Sequence, residues 1–209
     1  MQIVVLANKD LREELISNGI SPGADVLWID DVSGFQNHFK ADAFIDLLFK
    51  KENRRINMLQ QFVPKPVIIN SVEHVLDDIY PSFVRINAWN GFLHSSLIEA
   101  SGSEESKEKV EQVFALFNKK IEWLPDEPGF VTARIVSMII NEAFISLDEG
   151  VSTKKEIDTA MKLGTNYPYG PFEWAEKIGL HNIASLLNTL SISQPRYKPA
   201  PAMLASIGL

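Results

Sequence analysis

Two hydrophobic rhythms divide the chain. Through the first part, short apolar runs alternate with helical stretches. Residues 3–7 (IVVLA) are apolar without a break, as in a central strand of a parallel sheet. Asp10 can cap a helix over 11–17, which Gly19 closes. Residues 24–29 (ADVLWI), 41–49 (ADAFIDLLF) and 66–70 (PVIIN) read as further strands, with an amphipathic helix over 53–62 before the last of them. Strands are also expected over 83–89, 96–100 and 121–124. A polar turn covers 102–106, and a helix over 107–119 lines up Val110, Val113, Phe114 and Phe117. Alternation of this kind implies right-handed crossovers and a parallel sheet.

Beyond 125–127 the period becomes helical. Asp126 as cap and Pro128 as first residue can open a helix. Val131, Ile135, Met138, Ile139, Ala143 and Ile145 follow at near-helical spacing, with apolar residues on most sides, so this helix is expected to be buried or to pair with a partner. Gly150 stops it, and Ser152 or Thr153 caps a second helix over 155–163, with Glu156 placed for a capping box. That helix ends at Gly164, and Tyr167, Pro168, Gly170 and Pro171 make a rigid corner. The expected organisation is an α/β domain over 1–125 and an all-α domain over 126–209.

Composition narrows the classes. The 209 residues are 45% hydrophobic and 22% charged, ordinary for a globular protein, and the formal charge of −7 disfavours nucleic acid and anionic membranes as partners. With no cysteine there are no disulfides, thiolate metal sites or cysteine nucleophiles. No apolar run reaches membrane length, and Lys9 and Asp10 interrupt the start too early for a signal peptide, so a cytoplasmic protein is expected. Trp28, Trp89, Trp123 and Trp174 read as core residues.

The wording of the second half says more than its periodicity. PGFV at 128–131, NEA at 141–143, DTAMKLG at 158–164 and YPYGPFEW at 167–174 occur in order, followed by Arg196, Tyr197, Pro199 and Pro201. This series resembles the C-terminal domain of the 3-hydroxyacyl-CoA dehydrogenase family, and residues 42–62 resemble, more weakly, that family's strand and following helix. The resemblance implies a trimmed Rossmann-like domain, short of the family's helical excursion before residue 41, then a helical dimerisation domain. It also implies a homodimer, an NAD cofactor and an acyl-CoA-type substrate.

Against that resemblance the first half lacks the expected chemistry. The family's glycine-rich turn lets the backbone approach a dinucleotide's diphosphate, but residues 6–12 read LANKDLR, with no glycine. Asp30 and Asp31 stand where an acid would meet the adenosine ribose, but a lone acid there reads first as a strand-end residue. The family's catalytic histidine lies three residues before an asparagine-proline pair and twelve before a glutamate. Aligned without a gap, Asn87 takes the histidine position, Asn90-Gly91 the pair and Glu99 the glutamate. An asparagine amide donates hydrogen bonds but carries no proton that it can transfer near neutral pH. His94 is the nearby imidazole, a loop histidine or a relocated base; His74 and His181 are weaker candidates, and His38 sits in a polar loop. Ser71 falls near the family's substrate-side serine, and Ala133 takes the place of an asparagine that precedes an arginine, here Arg134.

Two readings follow. The first is a divergent, shortened member of the family without dehydrogenase activity or cofactor, dimeric and holding an acyl-CoA or related small molecule, or serving another enzyme as a platform. The alternative is an active NAD-dependent 3-hydroxyacyl-CoA dehydrogenase with a non-standard site. No metal site is expected.

Overall fold

The apolar runs of the first half form one seven-stranded sheet in the computed structural model, which describes residues 1–208. Its strands are β1 (Gln2–Leu6), β2 (Asp25–Ile29), β3 (Ala43–Asp46), β4 (Val67–Asn70), β5 (Val84–Ile86), β6 (Leu97–Ser101) and β7 (Lys120–Trp123), in the spatial order β2-β1-β3-β4-β5-β6-β7. The pairs from β2 to β5 are parallel, as is β6 with β7, but β5 and β6 run antiparallel. The sheet is thus parallel, as expected, except at that one pair. Residues 87–96 contain no helix, and a connection that short reverses the chain rather than crossing over.

Alternation along β1 sorts the core into two layers. Ile3 and Val5 pack with Leu11 and Leu15 of α1 (Lys9–Leu15) and with Val110 and Phe114 of α3 (Glu104–Ala115). Val4 and Leu6 pack on the other face with Phe35, Phe44 and Phe62, and with Ile56 and Leu59 of α2 (Asn53–Gln60). Between β2 and β3 there is only a 3-10 stretch, Val32–His38, so β2 is the sheet's edge and His38 ends a helical turn rather than lying in a loop.

The first compact unit ends at Phe130 and the second begins at Val131. Asp126 does not cap the following helix, which corrects the expectation. One carboxylate oxygen pairs with Arg85, and the other accepts from the Leu76 amide at 2.8 Å. Arg85 has no exposed surface. Its guanidinium also donates to the Ser71 carbonyl at 3.2 Å and the Glu127 carbonyl at 2.6 Å, and lies 4.1 Å from the centre of the Phe130 ring. A buried cation demands these partners more strongly than an exposed helix end demands a cap.

The second unit holds α4 (Thr132–Asp148), α5 (Lys154–Thr165), α6 (Pro171–Ile178), α7 (Leu180–Ser191) and α8 (Pro201–Ser206). Buried Asn141 of α4 clamps the closing segment, donating to the Lys198 carbonyl and accepting from the Ala200 amide. Thr153 and Glu156 form the capping box of α5, which runs on past Gly164 to a left-handed Asn166. The 167–171 corner serves the start of α6. Asp158 of α5 accepts from the Phe172 amide at 2.8 Å, and Glu173 accepts from the Gly170 amide at 2.9 Å while pairing with Lys162. A side chain at Gly170 would overlap Asp158, so the glycine is there for room, not for an unusual backbone angle.

Two substitutions test these constraints in urea denaturation. Arg85→Met should cost about 3–5 kcal/mol, since it leaves Asp126 without its partner, and Arg85→Lys should recover little because an ammonium lacks the planar fork. A loss under about 1 kcal/mol for Arg85→Met would mean that this ion pair is dispensable. Gly170→Ala should cost about 1–3 kcal/mol as an overpacked site. The same alanine placed on an Asp158→Gly background, which removes the Cβ as well as the carboxylate, should cost clearly less; equal costs in both backgrounds would show that Asp158 is not what it strikes.

Candidate functional site

The carboxyl ends of β1, β3, β4 and β5 lie along one edge of the sheet, where open α/β sheets hold their ligands. Most of the sequence-predicted residues lie along it. At the end of β1, the amide of Leu11 in the first turn of α1 is already bonded at 2.9 Å to the side chain of Asn8, which caps the helix in place of the expected Asp10. Arg12 turns back to the carbonyls of Ala7 and Ile29 and pairs with Asp30, its guanidinium 5.3 Å from the centre of the Trp28 ring. Asp31 caps the 3-10 stretch through Ser33, whose hydroxyl and amide hold its carboxyl below the usual range. Both β2-end acids therefore have local structural partners.

Beside them, Asp46 closes β3 and is almost fully buried. Burial pushes its carboxyl up, against the two-pronged bond from Arg55 at 2.6 and 2.7 Å. A cleft of about 730 Å³ opens between the 3-10 stretch and α2, lined among others by Asp31, Ser33, Gln36, Arg54 and Arg55.

Further along, Asn70 ends β4. Its amide donates to the Leu47 and Ala88 carbonyls, and its oxygen accepts from the Ala88 amide, so one side chain joins the ends of three strands. Ser71 is buried, its hydroxyl donating to the His74 carbonyl at 3.0 Å. In the same loop, burial raises the Glu73 carboxyl and lowers the His74 imidazole, the latter helped by the charge of Lys51.

Asn87 and Glu99 are brought together. Antiparallel pairing sets them opposite each other at the end of β5, and the Asn87 amide donates to the Glu99 carboxylate at 3.1 Å. This is an amide-carboxylate pair. It can bond a carbonyl or hydroxyl, but without an imidazole it has no ready proton shuttle near neutral pH.

His94 lies in the 87–96 connection with half of its side chain exposed, its Nε2 3.8 Å from the buried carboxylate of Glu14. Glu14 holds the connection itself, since both of its oxygens accept from the Gly91 amide at 2.8 and 2.9 Å. From the other side, buried Lys119 donates to the Leu93 and Ser95 carbonyls and to the Asn18 side chain. Burial pushes the Lys119 ammonium down to about 8, with the Glu14 charge opposing. Sequence reasoning missed Glu14, Lys119, Asp46 and Arg55. Glu14 left a signal, because it shares the helical face of Leu11 and Leu15, where a charge needs a buried partner. Lys119 left none, because it follows a helix in a polar stretch.

In the second unit Ala133 is fully buried in α4, followed by Arg134, and His181 is exposed on α7. Among the described residues no group of three or more His, Asp or Glu side chains is arranged to hold a metal ion. None of the described helices is long and apolar enough to cross a membrane.

The model of the 3-hydroxyacyl-CoA dehydrogenase C-terminal domain matches residues 129–207. Over 83 residues the chain is 45% identical to the 3-hydroxyadipyl-CoA dehydrogenase of Escherichia coli (strain K12), covering 39% of this chain and 18% of that protein. It is 39% identical over 103 residues to the 3-hydroxybutyryl-CoA dehydrogenase of Bradyrhizobium diazoefficiens, covering 48% of this chain and 34% of that one. The chain thus matches about a third or less of these two curated relatives' own length. The crystal structure of the (S)-3-hydroxybutyryl-CoA dehydrogenase of Ralstonia eutropha superposes with a TM-score of 0.75 at 19% identity, over 99% of this chain and 93% of that one. That likeness establishes the fold.

The buried lysine gives the site a pH signature. Folded Lys119 releases its proton near pH 8, whereas in the unfolded chain it holds it to about 10.4. Above pH 8 the unfolded state therefore binds more protons, and stability rises with pH. Relative to Lys119→Met, the unsubstituted protein should gain stability between pH 7.5 and roughly pH 9.5 in chemical denaturation. A difference that stays flat or falls over that window would mean that Lys119 is not desolvated in solution.

Proposed function

Because residues 129–207 match the 3-hydroxyacyl-CoA dehydrogenase C-terminal domain, we propose that the chain is a divergent member of that family which keeps the scaffold without the NAD-dependent reaction and holds an acyl-CoA-type ligand as a dimer. One observation carries the reading: at the helix start that would receive a dinucleotide's diphosphate, the protein's own groups already engage a backbone donor and the nearby arginine. The Asn8 side chain occupies the Leu11 amide, and Arg12 is drawn to Asp30 and two carbonyls. A turn without glycine keeps its side chains where the diphosphate would approach the backbone, so these residues do not fit NAD in the usual way. The Asn87–Glu99 pair supports the same conclusion from a separate stretch of chain, because it offers hydrogen bonds without a transferable proton.

Support for a dimer comes from the second unit. The α5 helix buries none of its twelve residues in the single chain, although it carries Ile157, Met161 and Leu163. Val131, Ile135, Val151 and Leu163 are all exposed. An apolar helical surface of this kind is covered by association, and the covering molecule in this reading is a second copy.

Titrating the protein with NADH by fluorescence, with and without acetoacetyl-CoA, tests the first part. The expected result is no saturable NADH binding up to millimolar concentration and saturable binding of acetoacetyl-CoA without turnover. Saturable micromolar NADH binding would overturn it in favour of an active dehydrogenase with NAD in a non-standard site. Sedimentation tests the second part. The native mass should be twice 23.5 kDa and should fall towards the monomer in Leu163→Glu; a monomeric native protein would sink the dimer.

A further inference from the structure

The two edge strands of the sheet meet solvent differently. β7 sets exposed Lys120 and Glu122 along its length, and charges on an edge strand discourage further pairing. β2 has no charge between its ends. Its Val26, Leu27, Trp28 and Ile29 are all partly exposed, whereas Ile3 to Leu6 of β1 beside it are buried. The 3-10 stretch that follows packs over the face of the sheet, with Phe35 against Phe44. Backbone groups along β2 alternate between two sides. The Asp25 amide donates to the Met1 carbonyl at 3.0 Å, so Asp25, Leu27 and Ile29 turn towards β1. Val26 and Trp28 therefore turn their amides and carbonyls outward, and among the described residues no backbone group bonds them.

Carboxylates stand at both ends of this uncharged edge. Asp25 accepts from the Gln2 side-chain amide and Asp31 from Ser33, both neutral donors, and both acids are exposed. Arg12 answers Asp30, and Arg55, which acts on Asp31 from beyond ion-pair range, is taken by Asp46. We infer that β2 is a docking edge for an extended segment of another protein, one that carries alternating apolar residues between flanking lysines or arginines. The segment adds a further strand to the sheet. Its backbone takes the outward groups of Val26 and Trp28, and its cations lie against Asp25 and Asp31. A second copy of this chain fits the edge badly. Antiparallel pairing about Trp28 sets Asp25 of each copy opposite Asp31 of the other, and like charges directly opposite destabilise a ladder. Pairing about Leu27 lays Asp25 on Ile29, a charge on an apolar side chain. The formal charge of −7 on each chain adds to the repulsion.

Amide hydrogen exchange of the whole protein, read by NMR, tests the edge. The probe is a synthetic peptide of alternating valine and threonine between paired lysines. In the free protein the Val26 and Trp28 amides should exchange quickly, and the Leu27 amide, bonded to β1, slowly. The peptide should protect Val26 and Trp28, with an affinity that falls as salt rises. The same peptide with glutamate in place of lysine should not bind. Val26→Pro removes one outward amide at an edge position where proline is tolerated, so Leu27 should stay protected while binding is lost. Asp25→Lys changes an exposed side chain and leaves the backbone groups in place; it should weaken binding of the lysine peptide. No protection of Val26 and Trp28 by the lysine peptide, or equal binding of the glutamate version, would overturn the proposal. Protection that grows with protein concentration in the absence of peptide would overturn it in favour of a second copy.

Discussion

A guanidinium with no contact with water organises the first unit. Arg85 projects from β5 into a place where every N–H must find an acceptor and the charge a partner. Those needs draw in Asp126, the carbonyls of Ser71 and Glu127, and the face of Phe130. Asp126 in turn takes the Leu76 amide with its second oxygen. One side chain thereby fixes the loop after β4 and the segment that leaves the unit. It also explains why an aspartate followed by a proline, which looks like a helix start, is no cap.

Elsewhere the governing constraint is the unsatisfied amides at helix starts, and each start solves it with a different residue. At α5 the solution is local, Thr153 with Glu156. At α6 half of it comes from another helix, since Asp158 reaches across to the Phe172 amide and only a glycine at 170 leaves it room. At α1 the solution comes from just outside the helix, where the Asn8 side chain accepts from the Leu11 amide.

At the other end of the carboxyl edge, the short connection between β5 and β6 sets which side chains meet. Because it contains no helix, β6 returns antiparallel, and that pairing places Glu99 opposite Asn87. The same connection exposes His94 above Glu14 and lays carbonyls across Lys119. Reversal of the strand, juxtaposition of the polar pair and fastening of the loop by buried charges are therefore parts of one local arrangement.

Residues close together in sequence predicted what local forces settle. The all-apolar runs marked the strands, the change of period marked the helical unit, and Thr153 with Glu156 marked a capping box, since each depends on neighbours within a few positions. The resemblance, which set Asn87 and Glu99 at the positions of a paired histidine and glutamate, likewise pointed to two residues that a two-strand ladder brings together. Tertiary structure alone decided matters in which a group chooses between distant partners. Asp126 could cap the next helix or answer a buried arginine forty-one residues away, and Asp30 could meet a ribose or Arg12. Glu14 and Lys119 are ordinary charged residues until folding buries both against one loop. A buried charge takes whichever partner the packing brings within reach, and that distance is set by the fold rather than by separation along the chain.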